Sequence, residues 1–180
     1  PVIVEAGFEQ NFKMTAAQLE NAITPKTRLI ILCSPSNPTG SVYSKDELEA
    51  LAKVILKHDG LFVLADEIYE HINYIGKHQS IAQFEGMKER AIIVNGVSKA
   101  YAMTGWRIGY IAAPEWIVKG CNKLQGQYTS GPCSVSQKAA EFAYTSSQEC
   151  VEEMRQAFER RRDLIVKLAK DIPGLEVNIP

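Results

Sequence analysis

The chain has 180 residues, 46% hydrophobic and 23% charged, with a formal net charge of −1. That length fits one domain, or one domain and part of a second. The near-neutral charge gives no electrostatic basis for nucleic acid or an anionic membrane as partner, and no apolar run reaches the length of a membrane span. Cys33, Cys121, Cys133 and Cys150 form no CxxC pair, which favours reduced thiols in a cytosolic protein over a disulfide framework. Residue 1 is proline, so the sequence leaves the question of a leader peptide open.

In chain order, Val2–Glu5 predicts a short strand, and Thr15–Ile23 a helix capped by Thr15. Arg28–Cys33 (RLIILC) is a continuous apolar run and predicts a buried strand. Ser34–Tyr43 is rich in proline, glycine and serine and reads as a loop. Ser44 with Glu47 three residues on forms a capping box, and Leu48, Leu51, Ala52 and Ile55 give the following helix one apolar face. Leu61–Ala65, Ala91–Val94 and Ile108–Ala112 read as further strands. The strand–helix–strand rhythm predicts an α/β fold: a mostly parallel sheet with helices on both faces, in three layers. No crossover helix fits between the last two strands, so Ile108–Ala112 is expected to run antiparallel near an edge. Beyond Pro114 the pattern is helical: Glu115–Gln127, Ser134–Thr145 and Gln148–Lys170. The last of these has a stripe of Val151, Met154, Phe158, Ile165 and Leu168 opposite a charged, solvated side. Leu175–Ile179 predicts the start of another strand.

Three loops that follow apolar strands carry the polar chemistry. They hold Asn37-Pro38-Thr39-Gly40, then Asp66-Glu67-Ile68-Tyr69, then Ser98-Lys99 with Arg107 further on. In open α/β sheets ligands bind beyond the strand ends, so parallel neighbours would bring these loops to one crevice. An amide, a carboxylate, a phenol, an amine and a guanidinium suit a ligand with a ring nitrogen, a phenolic oxygen, an aldehyde carbon and a phosphate. Pyridoxal 5'-phosphate is such a ligand, and a lysine with an acidic partner for its pyridinium is the usual protein complement.

At these residues the chain resembles the class I and II aminotransferases, of the aspartate aminotransferase fold, and most closely their bacterial aspartate aminotransferase branch. "SPSNPTGSVYS", "VLADEIYEHINY" and "SKAYAMTGWRIGY" carry the resemblance, in the family's order. The resemblance implies a large cofactor-binding domain of the pyridoxal-phosphate transferase type, with residues 1–147 belonging to it. Residues 148–180 would be a linking helix and the beginning of a smaller C-terminal domain. It implies that Lys99 forms the Schiff base and, once released, moves the proton at the substrate's Cα. Asp66 would pair with the ring nitrogen. Tyr69 and Asn37 would bond the phenolic oxygen, with Asn37 also reaching the substrate carboxylate, and Arg107 would hold the phosphate. An Asn37–Pro38 cis bond is expected on the same ground. The family often has a phosphate-binding serine three residues before the lysine, where this chain has Gly96.

The implied reaction moves an amino group from an amino acid, aspartate first, to a 2-oxo acid, 2-oxoglutarate first, by a ping-pong course in a cytoplasmic homodimer. "QGQYTSGP" matches a segment that reaches the neighbouring subunit's site. The resemblance places a phosphate loop before Pro1 and a carboxylate-binding arginine after Pro180, so the chain by itself is expected to be an inactive fragment. Rival readings are a carbon–sulfur β-lyase on the same fold and a non-catalytic ligand-sensing domain; a nicotinamide site is disfavoured by the absence of GxGxxG. Glu67 receives no role, Trp106, Tyr101 and Met103 read as packing, and His58, His71 and His78 show no metal-ligand spacing, so no metal is expected.

Overall fold

The computed structural model describes residues 1–180. Its centre is a four-stranded sheet in the order β1-β2-β3-β4: β1 (Leu29–Cys33), β2 (Phe62–Asp66), β3 (Ala91–Gly96) and β4 (Gly109–Ala112). β1, β2 and β3 run parallel, and β4 returns antiparallel at the edge, as the short connection requires. Helix α1 (Ala16–Ala22) precedes β1 and α2 (Lys45–Leu56) makes the crossover to β2. After β4 come α3 (Glu115–Tyr128), α4 (Ser134–Thr145) and the long α5 (Glu149–Lys170), whose N-cap is Gln148.

Local chemistry sets the helix starts. At α2 the Ser44 side chain accepts from the Glu47 amide while Glu47 accepts from the Ser44 amide at 2.7 Å, so the predicted capping box forms. Thr15 and Gln18 form a second box at α1. Helix α1 stops at Ile23, which is extended, and Pro25 follows.

The core lies on one face of the sheet. Ile30, Leu32, Val63, Ala65 and Ala91 meet Leu48, Leu51, Ala52 and Ile55 of α2 in one buried cluster. Each fully buried aliphatic chain of this set contributes roughly 1.5–3 kcal/mol by leaving water. The opposite face is covered less. Trp116 of α3 packs edge-on against Phe62 at 5.5 Å, so helices do reach both faces. Leu29 and Ile31 nevertheless remain 44% and 74% exposed. The run RLIILC is therefore a strand with one covered and one open face, not a wholly buried one.

Three further expectations need correction. Val2–Glu5 and Leu175–Ile179 belong to no sheet and carry no regular secondary structure. Apolar alternation alone does not make a strand; backbone groups need a neighbouring ladder, and neither segment has one. The stripe on α5 is mostly solvent-facing: Phe158, Ile165 and Leu168 are exposed, and the buried residues are Val151 and Val166. The charged side is an ion-pair ladder, with Arg155 bridging Glu152 and Glu159.

Glu47 also pairs with Lys13 at 2.7 Å. Burial pushes its carboxyl up, but Lys13 and the Ser44 amide together outweigh that and hold it below its ordinary value. An acid depressed in the fold adds stability above its unfolded pKa and loses it as pH falls through the folded one. Ser44→Ala is expected to cost about 1 kcal/mol in urea unfolding at pH 7. Glu47→Gln should destabilise at pH 7, and that penalty should shrink as pH falls below the ordinary carboxylate range and through the depressed folded value. A penalty equal at pH 3 and pH 7 would contradict this account.

Candidate active site

Parallel register stacks the strand ends. Cys33, the last residue of β1, pairs with Asp66, the last of β2, which pairs with Val94 of β3. Three residues beyond Gly96 stands Lys99, and two before Gly109, the partner of Gly96, stands Arg107. All five predicted site residues thus lie at one edge of the sheet.

Asp66 and Glu67 point apart, as neighbouring residues at a strand end do. Asp66 is half-buried, and its Oδ1 accepts from the Ile68 amide at 3.1 Å. Glu67 turns into the protein, 6% exposed, where it accepts from the Ser80 hydroxyl at 2.6 Å and contacts His78 Nε2 at 3.0 Å. Glu67, Glu70 and His78 bring possible ligand atoms within 4.8 Å of one another. The sequence spacing did not show that grouping. Its contacts with Ser80 and Asn95 already engage both carboxylates, and we read it as a structural clamp behind Asp66 and Tyr69.

The loop after β1 is closed by its own backbone, Ser36 N to Ser41 O and Gly40 N to Ser36 O, both 2.9 Å, with Gly40 at φ +71°. The Asn37–Pro38 bond is cis, as expected, and so is Ser34–Pro35. The Asn37 amide donates to the Tyr69 phenol oxygen at 3.3 Å. Lys99 Nζ lies over the face of that ring, 5.4 Å from the centroid, within cation–π range. Asn37, Tyr69 and Lys99 are therefore in direct contact as a group. Asp66 joins them by register alone, and Arg107 by position: its Nη1 donates to Thr104 O at 2.9 Å within its own turn.

The lysine loop is strained at two points. Ala102 (φ 53°) and Arg107 (φ 56°) are non-glycine residues in the left-handed region, a conformation that costs of order 1–3 kcal/mol each and clusters at functional sites. Gly96 explains the departure noted in the sequence. A Cβ there would lie 2.7 Å from Ile108 O and 2.9 Å from Gly109 Cα. The β3–β4 backbones approach too closely for a serine.

Charge is left unspent here. The ion pairs of the chain run elsewhere, and none engages Asp66, Lys99 or Arg107. The Cys33 thiol beside them is pushed up, mainly by burial and also by the Asp66 carboxylate. The donor set fits pyridoxal phosphate on its own chemistry: an unpaired carboxylate for a cationic ring nitrogen, an unpaired guanidinium for a phosphate, and an amine beside a phenol. A cleft of about 450 Å³ adjoins Tyr69 and Ser36 and is walled by Phe158, Arg161 and Arg162. A larger cavity of about 630 Å³ lies between the N-terminal segment and β1. It holds none of the five site residues, so chemistry rather than volume locates the site.

The sheet makes this an α/β protein, and an amine, a phenol and an amide meet beyond its parallel strand ends with a carboxylate in the same row, the place where open α/β sheets hold ligands. The family model described as aminotransferase class I and II matches residues 2–180, and the chain belongs to that family. It is 51% identical over 177 residues to an aspartate aminotransferase of Geobacillus stearothermophilus, covering 97% of this chain and 44% of the relative. It is 47% identical over 184 residues to a bifunctional aspartate aminotransferase and glutamate/aspartate-prephenate aminotransferase of Petunia hybrida, covering 100% of this chain and 38% of the relative. The aspartate aminotransferase structure from Rhizobium meliloti superposes with a TM-score of 0.97 at 44% identity, over 100% of this chain and 46% of that one. The chain thus spans less than half the length of these relatives.

Gly96→Ser is expected to destabilise the protein by about 1–3 kcal/mol, because overpacking against backbone cannot relax by side-chain rotation. Thermal unfolding of the variant checks this; an unchanged midpoint would show that β3 and β4 separate easily.

Proposed function

We propose that this chain is part of a pyridoxal-phosphate-dependent aminotransferase that moves an amino group from aspartate to 2-oxoglutarate. The observation that carries the reading is the meeting of Lys99, Tyr69 and Asn37 beside the unpaired charges of Asp66 and Arg107. The printed names of the relatives support the class of reaction. When bound, pyridoxal phosphate supplies an aldehyde for covalent attachment and a cationic ring that stabilises negative charge at the substrate's Cα.

The chain's own residues take these roles. Asp66 keeps the ring nitrogen protonated, since a nearby carboxylate favours the cation. Tyr69 and Asn37 hold the phenolic oxygen, and Asn37 also meets the substrate carboxylate. Arg107, whose Nη1 donates to Thr104 O, would hold the phosphate. Lys99, once free, carries the proton to and from Cα.

The proposal extends to the assembly. Residues 1–147 form the large domain, and residues 148–180 lead into a smaller one. Trp116, Leu124 and Tyr128 of α3 and Val135 and Phe142 of α4 are exposed. A second copy of the chain in a cytoplasmic homodimer would cover such a surface. No helix is long and apolar enough to cross a membrane.

The test is a panel of amino donors and 2-oxo acids on the full-length protein. Aspartate with 2-oxoglutarate should react, and Lys99→Ala should lower that rate at least about a hundredfold, the usual worth of a positioned proton carrier. Sulfur amino acids eliminated faster than aspartate transaminates would overturn the reading in favour of a lyase. Residues 1–180 alone should bind the cofactor weakly, since each charged contact supplied from elsewhere is worth roughly 2–5 kcal/mol. A dialysis-resistant adduct on this segment by absorbance would show that the grip is local.

A further inference from the structure

Lys99 opens a turn whose internal backbone bond closes on a strained residue. Ala102 N donates to Lys99 O at 3.1 Å, closing four residues, and Ala102 is the strained one at φ 53°. A left-handed alanine relaxes unless its neighbours over-determine it. Tyr101, between them, is anchored outside the turn. Its hydroxyl donates to Gln148 Oε1 at 2.8 Å. Its ring sits edge-on to Tyr144 of α4 at 5.2 Å and to His71 at 6.1 Å.

The Gln148 amide can receive that bond in one orientation only. Its Nε2 donates to Ala143 O at 3.0 Å and to Ser146 O at 2.7 Å, across the α4–α5 junction. The NH₂ group is thereby spent on two carbonyls, and the oxygen must face Tyr101. Burial, aided by the Glu70 charge, keeps the Tyr101 phenol protonated and so a donor. Tyr144 in turn stacks edge-on with Tyr110 of β4, the strand that follows Arg107. His71 follows Glu70, which accepts from Asn95 at 2.8 Å just behind Tyr69. One side chain therefore ties the lysine turn to α4, to the head of α5 and to the loop that carries Tyr69.

We propose that Tyr101 is a positioning residue: its hydroxyl, held by the α5 cap residue Gln148, fixes the turn that aims Lys99 Nζ at the cofactor's aldehyde carbon. The proposal rests on the role given to Lys99 above. The bond it governs forms when Nζ condenses with that carbon, giving C=N and releasing water. Borohydride then adds hydride to the carbon and solvent a proton to the nitrogen, leaving a stable secondary amine.

The experiment mixes cofactor-free, full-length protein with rising pyridoxal phosphate, quenches with borohydride and counts the Lys99 adduct by peptide mass. Tyr101→Phe keeps the ring and its edge contacts. It should lower the limiting rate about fivefold, the worth of one neutral hydrogen bond. The half-saturating concentration should stay put, because Asp66, Asn37 and Arg107 are untouched. Gln148→Ala should do the same, and the double variant should lose no more than either alone. In the cofactor-free protein, amide exchange across residues 97–103 should quicken in Tyr101→Phe. A general packing role would instead lower the trapped fraction and leave the limiting rate alone, and that result overturns the proposal, as do parental rates in Tyr101→Phe. Absence of a Lys99 adduct in the parent protein overturns the cofactor reading, and this inference with it.

Discussion

Everything at the site depends on the parallel pairing of β1, β2 and β3. Parallel strands emit their following loops at one edge, and in-register neighbours share a side. Cys33, Asp66 and Val94 stand in one row for that reason. Reverse β2 alone, and Asp66 would leave the sheet at the end opposite Lys99. The antiparallel turn to β4 works within this constraint. It folds Arg107 back to the same edge, at the cost of a backbone approach between Gly96 and Gly109 that admits no side chain.

Along the loops after β2 and β3 a residue with unspent bonding capacity stands close to one that is fully engaged. Asp66 is followed by Glu67, buried against Ser80 and His78. Tyr69 is followed by Glu70, tied to Asn95. Lys99 has Tyr101 two residues on, tied to Gln148. Folding energy is gathered by the second member of each pair while the first is left with charge or hydrogen-bonding capacity for a ligand. That division explains how a site with two left-handed residues and three unpaired charges persists in a well-ordered fold.

Much of this was legible in the sequence, for identifiable reasons. The helix starts were marked by Thr15 and Ser44, whose capping chemistry is local. The antiparallel sense of β4 followed from the length of a connection. The five site residues share one edge of the sheet because strand ends do, and Asn37, Tyr69 and Lys99 meet there. What stayed hidden depended on distant neighbours. The Glu67–His78 contact joins residues eleven apart, and Tyr101–Gln148 joins residues forty-seven apart. Neither spacing has a periodicity to betray it. Ile31 was read as buried because its segment is apolar, yet burial is decided by what packs opposite, and little does. Gly96 looked like a missing phosphate ligand until the backbone of Ile108 and Gly109 showed that a glycine is required there.

The open side of β1 has a consequence for handling the protein. Leu29-Ile30-Ile31-Leu32-Cys33 is a short segment of strong strand formers at the edge of the sheet, and its outer backbone groups make no ladder bond. Such a segment is a template for strand addition by other chains, the first step of ordered aggregation. Lys26 and Arg28, immediately before it, place positive charge at the mouth of that template, and each incoming copy would stack like charge on like. Two basic residues remote from the chemistry therefore oppose stacking at this edge, and salt, by screening them, weakens the protection they give.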